Sequence, residues 1–367
     1  MNKIIYHIYS GTSGNSGLYL DEIYQILKKE GFKQRVFVSY FYPFAYGEKV
    51  FFRFGDIAHS KFRGRLRKVI QLIEIIIAYI KILVYSSIEK PKIVNYSHIG
   101  QSYFFIYYFL VLLKRITGAK LIITCHDVKP HKIISGEIKF RRLIFELGDY
   151  LLVHNDNSIN DLNTIFSIET DKIIKHPFPI MDLTKLNYLD TTFNPCDFLF
   201  IGHLRKNKGI EFLLNTWKDF SSIYPEAKLC VCGNTTSDVS FDVEELIPHN
   251  VDFHLKYISD QEYYMYIKSA RFVILPYFEG TNSGIISTVL SMGVNVVTSD
   301  IPMFKENQFI CDSDMFKSHD KQSLISILEK KYLEHNNSTG FDKIRKYRND
   351  FDKSVKQVYT KILGNIV

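Results

Sequence analysis

Short runs of aliphatic and β-branched residues recur along this chain. They alternate with stretches in which apolar residues return every three or four positions. In the first half the runs predict strands at Lys3–Tyr9, Gln34–Ser39, Ile93–Tyr96, Leu121–Thr124, Tyr150–His154 and Ile173–Pro177. The helical pattern covers about Leu18–Glu30, Val69–Tyr85 and Ser102–Arg115, and begins again after Asn155. Pro177 and Pro179 then open a polar stretch that runs to Pro195. After it the alternation restarts, with strands at Asp197–Ile201, Lys228–Cys232, Val251–His254, Arg271–Leu275 and Val294–Thr298. Helices are expected at Ile210–Phe220, Asp260–Ser269 and Ile285–Met292, with Ser323–His335 and Lys343–Leu363 closing the chain. Strand–helix alternation means parallel sheets covered by helices. The expected architecture is therefore α/β, with two Rossmann-like domains at 1–180 and 196–344. Residues 181–195 form the linker, and a final helix, about 345–367, is free to pack back on the first domain.

The polar segments that follow the strands carry the chemistry. Open α/β sheets bind ligands outside the carboxyl ends of their strands. Gly11-x-x-Gly14-x-x-Gly17 follows the first strand and imitates a dinucleotide fingerprint. The second strand ends in Ser39-Tyr40-Phe41, without the acidic residue that would hold a ribose, so the loop reads as a place where a substrate nears the backbone. Tyr24-x-x-x-Lys28 has the spacing of NAD-linked sugar chemistry, but its place on the first helix suits packing. His126-Asp127 follows another strand, as a catalytic pair or a capping turn; His126 and His131 alone do not make a metal site. Gly202 to Gly209 is a basic loop with Arg205 and Lys208. Pro276–Pro302 is a strand end, a polar loop from Glu279 to Gly284, a small apolar helix and a further strand. A helix beginning after such a loop points free N–H groups and a positive dipole end at it, which suits a phosphate or a polar sugar.

Charge sharpens this picture. Residues 1–180 hold 25 Lys and Arg against 15 Asp and Glu, a net of +10; residues 181–367 hold 21 against 24, a net of −3. The first half should meet an anionic partner, and the cluster Lys61, Arg63, Arg65, Arg67 and Lys68 suits an anionic membrane. No aromatic–basic sheet pattern points to nucleic acid. The helix after the cluster is expected to be largely buried. It carries Gln71, Glu74 and Lys81, and is not a good membrane span. Five scattered cysteines read as reduced, buried thiols of a cytoplasmic protein, and no leader is evident at Met1-Asn2-Lys3. Cys230-x-Cys232 has no second Cys/His pair at zinc spacing nearby. Asp312-x-Asp314 reads as surface.

Phe200-Ile201-Gly202-His203-Leu204-Arg205-x-x-Lys208-Gly209, with Glu279-Gly280, Ser283-Gly284, Ser291-Met292-Gly293, Val296-Val297 and Asp300, resembles the GT-B glycosyltransferases of family 4. The resemblance spans nearly the whole chain and is strongest over 197–303. It implies two Rossmann-like domains facing each other across a cleft. It also implies a retaining, metal-independent hexosyltransferase that uses a UDP- or GDP-sugar and needs no cofactor. The acceptor would be a glycan or a polyprenyl-diphosphate-linked sugar in capsule, O-antigen or exopolysaccharide assembly, at the inner face of the cell membrane. Arg205 and Lys208 would hold the donor diphosphate, and Glu279 the donor sugar. Gly280, Thr281, Asn282, Ser283 and Gly284 would meet sugar and phosphates through their backbone. His126 would lie near the transferred sugar, and Gly14 and Asn15 would approach the donor. Two positions depart from the family. Ser287 stands where a glutamate usually grips the ribose, and His203 where an arginine often follows the loop glycine. A GT-B sugar-nucleotide epimerase and a non-catalytic nucleotide-sugar-binding subunit share these features and stand as the alternatives.

Overall fold

A computed structural model gives the structure of the chain. It describes residues 4–11, 15–42, 44, 46–52, 61–97, 103–126, 128, 136–176, 178–180, 195–235, 250–280, 284–307, 309–334 and 341–364, without the side chains of 15 and 341–347. The chain divides into two compact units. The first comprises Met1–Pro179 with Asn349–Val367, and the second Ile180–Arg348.

The first unit is built on seven parallel strands: β1 (Ile4–Tyr9), β2 (Lys33–Ser39), β3 (Glu48–Phe51), β4 (Ile93–Tyr96), β5 (Lys120–Thr124), β6 (Tyr150–Val153) and β7 (Ile173–Lys175). Their order is β3-β2-β1-β4-β5-β6-β7. Helices α1 (Asn15–Lys29), α2 (Gly64–Glu89), α3 (Tyr103–Thr117), α4 (Glu137–Leu147) and α5 (Asp156–Phe166) cross between strands. The strands are aliphatic because helices cover both sheet faces. One core joins Tyr6, Ile8, Val94 and Ile123 to α3 and α4, and a smaller one joins Tyr9, Val36 and Val38 to Leu20 of α1. α1 begins three residues before the expected Leu18. Gly17 sits in its first turn beside the rings of Tyr9 and Tyr42.

The second unit has six parallel strands: β8 (Cys196–Ile201), β9 (Leu229–Cys232), β10 (Val251–His254), β11 (Ala270–Leu275), β12 (Asn295–Ser299) and β13 (Met315–Phe316). Their order is β10-β9-β8-β11-β12-β13. Its helices are α6 (Ile210–Ile223), α7 (Asp260–Ser269), α8 (Gly284–Ser291), α9 (Lys321–Leu333) and α10 (Phe341–Gly364). Local chemistry sets their starts. Ser259 and Glu262 form a capping box on α7, and Asp320 accepts a hydrogen bond from the Ser323 N–H at the start of α9. The last helix leaves the second unit. From Asn349 onward it belongs to the first, with Phe351, Val355, Tyr359 and Ile362 buried at helical spacing.

Tyr359 completes a polar string across the first sheet. Asn95 Nδ2 donates to Tyr359 Oη at 3.0 Å and lies 3.5 Å from His7 Nδ1. Thr124 Oγ1 donates to Asn95 Oδ1 at 2.9 Å, and His7 Nε2 is 3.0 Å from Gln34 Oε1. Complete burial pushes the His7 imidazole down from 6.5 to about 4. The folded protein therefore refuses a proton that the unfolded chain binds. Stability from this group is complete above about pH 6.5 and falls by at most about 1.4 kcal/mol per unit as the pH drops towards 4. Urea unfolding at stepped pH values checks this. His7→Gln should flatten the acid limb, and an unchanged slope refutes the assignment.

The expectation that α2 is largely buried is not met. Only Ala78, Tyr79, Ile82 and Ser86 are buried along its length. Leu66, Val69, Ile73, Ile77, Ile80 and Val84 are each more than half exposed and return every three or four residues. Gln71 and Glu74 are less exposed than these neighbours, so the helix is close to inside out. By length and composition it could also cross a membrane. Phe104, Tyr108 and Leu112 of α3, which packs beside it, add a second exposed apolar row.

Candidate functional site

The strand order of the second sheet reverses between β8 and β11, so the segments leaving these neighbouring strands flank a topological switch point. The sequence puts its basic loop and its polar loop at this place. Leaving β8, the chain turns at Gly202, and the Leu204 N–H donates to the Asn234 carbonyl at 2.8 Å. Lys206–Lys208 is a single 3₁₀ turn, and Gly209, at φ +68°, starts α6. The loop after β11 is tied to it. The Phe278 N–H donates to the Asn207 carbonyl at 2.9 Å, and Lys208 Nζ lies 3.6 Å from the centroid of the Tyr277 ring. Gly209 lies so close to the Pro276 carbonyl that a Cβ there would stand 1.9 Å from its oxygen. The same closeness recurs at Gly233, at φ +140°, where a Cβ would stand 1.8 Å from the Gly202 oxygen.

Arg205 and Lys208 are half-buried in this frame, and His203 is exposed. Burial of its ring edge and then the charges of Arg205 and Lys208 hold the His203 imidazole below its ordinary value. The loop thus carries the positive charges of Arg205, Lys206 and Lys208 and disfavours a further proton on its histidine. Such a place favours an anion. Beyond Tyr277, whose carbonyl accepts from Ser299 Oγ at 2.5 Å, Glu279 and Gly280 are exposed. α8 then starts at Gly284, and a helix start carries N–H groups that have no partner within the helix. Ser287 is one turn in and 7% exposed, so it offers a ligand little surface. Arg205, Lys208, Glu279, Gly280 and Gly284 are thereby gathered within one unit. Thr281, Asn282 and Ser283 lie outside the described residues.

The first unit gathers a different set. His126 follows β5, His154 follows β6 and His176 follows β7. His154 Nδ1 is 2.9 Å from the His176 carbonyl, which can only accept, so Nδ1 carries the proton. His154 Nε2 then accepts from His126 Nδ1 at 3.1 Å, and neutral His126 keeps its lone pair on Nε2. Tyr19 stands edge-on to all three rings, with its hydroxyl 3.3 Å from His176 Nδ1. The sequence reading selected His126 and missed His154 and His176. Their repeated place just past three consecutive strands was the available signal. Asn15 opens α1, while Gly14, Asp127 and His131 lie outside the described residues.

Other expectations about single residues divide. Cys125, Cys230 and Cys232 are buried, and burial pushes the Cys125 thiol up to about 12. Cys196 is half-buried, and Cys311 is exposed on a surface turn, against the expectation of buried thiols throughout. Asp314 is bound by Lys331 at 2.6 Å in a 3₁₀ turn beside exposed Asp312, in keeping with a surface role.

Residues 195–328 match the family model described as glycosyl transferases group 1. Comparison with curated protein sequences finds no match. Among solved structures, the chain is similar to a sucrose-phosphate synthase from Thermosynechococcus elongatus at 13% identity. That alignment covers 99% of this chain and 100% of the other, with a TM-score of 0.68. It is similar to a trehalose-6-phosphate protein of E. coli bound with UDP-2-fluoro glucose, at 9% identity over 98% and 99% of the two chains and a TM-score of 0.62. It is also similar to Anabaena HepE in complex with UDP-glucose, at 11% identity over 99% of each chain and a TM-score of 0.61. The fold is GT-B, and the second unit carries a glycosyltransferase group 1 domain.

Proposed function

We propose that the protein is a glycosyltransferase that moves a hexose-type sugar, with retention, from a UDP- or GDP-sugar to a glycan or lipid-linked acceptor of a surface polysaccharide. The observation that carries the reading is the locking of the Arg205–Lys208 loop onto the Glu279 loop at the switch point of the second sheet. As the bond from the anomeric carbon to the diphosphate breaks, negative charge grows on the leaving oxygens. Arg205 and Lys208 neutralise it there, in a frame that needs no rearrangement. The N–H groups at the start of α8 add to this field. Glu279 accepts hydrogen bonds from sugar hydroxyls and fixes the ring. A side-chain cation pair on the diphosphate makes a metal unnecessary to this chemistry. The leaving phosphate takes the proton of the incoming hydroxyl on the same face, which retains configuration. His126 serves the transferred sugar, its tautomer set by His154. Ser287 contacts the ribose at most once, where a glutamate would grip it twice.

The exposed row on α2 supports an acceptor at a membrane. Apolar residues face outward, and the cations Lys61, Arg63, Arg65 and Lys68 lie exposed at the same end of the helix. This combination fits an interfacial helix on anionic lipid. The test combines both halves. Nucleotide sugars should raise the melting temperature selectively, since a bound donor stabilises by mass action. With the right donor, label should pass to a lipid-linked acceptor in phosphatidylglycerol vesicles, and vesicle binding should weaken with salt. Stabilisation by no nucleotide sugar overturns the reading. A free epimerised sugar nucleotide formed without acceptor would favour the epimerase instead.

A further inference from the structure

Cys230-x-Cys232 is isolated in the sequence, but strand pairing gives it partners. β10 pairs with β9 so that Asp252 stands opposite Cys230 and His254 opposite Cys232. Alternate residues of paired strands share a face, so Asp252 and His254 project beside the two thiols. Ligand atoms of Cys230, Asp252 and His254 all lie within 4.8 Å of one another. His254 Nε2 is 2.9 Å from Asp252 Oδ2, and the Cys230 and Cys232 sulfurs are 3.4 Å apart. Cys196, at the start of β8, lines the same cavity as Cys230. The Tyr266 ring of α7 packs on His254, with centroids 5.0 Å apart. A cavity of about 640 Å³, lined by Cys196, Cys230, Asp252 and His254 with Glu226 and Lys228, connects the cluster to solvent.

We propose that Cys196, Cys230, Asp252 and His254 form a structural Zn²⁺ site that ties edge strand β10 to β9 and β8. Thiolate and imidazole with one carboxylate are the donors that zinc takes tetrahedrally, at roughly 2.0–2.3 Å from the ion. Hard cations such as Ca²⁺ and Mg²⁺ want oxygen throughout and are poorly served here. Cys196 is the fourth ligand because it is half-buried and lines the cavity, whereas Cys232 is fully buried and does not. Binding displaces the two thiol protons, so affinity falls as the pH is lowered. The site has no part in sugar transfer as proposed above, so its failure and the failure of that reading are separate results.

The experiment titrates the reduced, chelator-stripped full chain with Co²⁺ and then Zn²⁺. The expected result is one equivalent of Co²⁺ with intense visible bands and a near-ultraviolet sulfur-to-cobalt band, bleached by Zn²⁺, and a melting temperature raised by Zn²⁺. Cys230→Ser and His254→Ala should each weaken binding by about 100-fold or more. Asp252→Asn, at an exposed edge position, should weaken it without disturbing the core, and Cys311→Ser should leave it unchanged. Absence of a stoichiometric Co²⁺ spectrum overturns the proposal. So does binding that survives both Cys230→Ser and Asp252→Asn, or a Cys196–Cys230 disulfide that occupies the thiols.

Discussion

Lys208→Ala is expected to lower sugar transfer about 100-fold while the protein stays folded. The loss corresponds to roughly 3 kcal/mol, the scale on which one preorganised group aimed at developing charge contributes to a transition state. The burden falls on turnover more than on donor affinity, because the diphosphate becomes more negative as it leaves. Stability should move little. Lys208 is half-buried, and its stack on Tyr277 contributes on the order of 1 kcal/mol. Lys208→Arg keeps the charge and the ring contact but changes the reach, so an intermediate loss is expected. Steady-state kinetics with a melting curve on each variant decide the matter. Turnover equal to wild type in Lys208→Ala would remove the diphosphate clamp from the mechanism. A parallel loss of melting temperature would make the residue structural.

Gly233→Ala should have the largest effect on stability, with Gly209→Ala close behind. Each position combines a positive φ with a backbone oxygen under 2 Å from where the Cβ would sit. A left-handed conformation alone costs an alanine about 1–2 kcal/mol. The neighbouring atom is a carbonyl held in its own strand–loop junction and cannot swing aside as a side chain would. The sum should reach roughly 4 kcal/mol, among the larger values for a point change. For a unit of this size that is about 10 °C or more in melting temperature. The distinguishing result is position. Gly209→Ala should also lose donor-induced stabilisation, since its contact holds the basic loop against the polar loop. A melting temperature within about 2 °C of wild type would mean that the loop relaxes freely.

What the sequence made legible follows the reach of each signal. Ile201, Leu275 and Thr298 end apolar runs that read as interior strands, and Gly202 marks where the chain turns after the first of them. The loop positions of Arg205, Lys208 and Glu279, proposed above to serve the donor, were therefore readable, because each lies within a few positions of such an end. β3 was not, since Glu48-Lys49-Val50-Phe51 is short and charged and is held by its pairing with β2. Cys230 showed no companions for the same reason. Asp252 is distant in sequence and becomes adjacent only through β-register. The stripe of Gln71 and Glu74 on α2 was visible, but a stripe does not say which side faces the core. On α2 the rule that apolar faces turn inward fails, and most of its apolar residues are exposed.

One consequence of the final helix concerns the order of synthesis. Unit 1 owns Tyr359, which reaches Asn95 in the middle of its sheet, yet that residue is made only after all of unit 2. Domains tend to fold as their residues emerge from the ribosome. Here the second unit can close while the first still lacks its last wall, and the strand residues beneath α10 wait uncovered through the making of some 170 residues. A premature stop near residue 349 would thus spare the half it interrupts and cripple the half already translated.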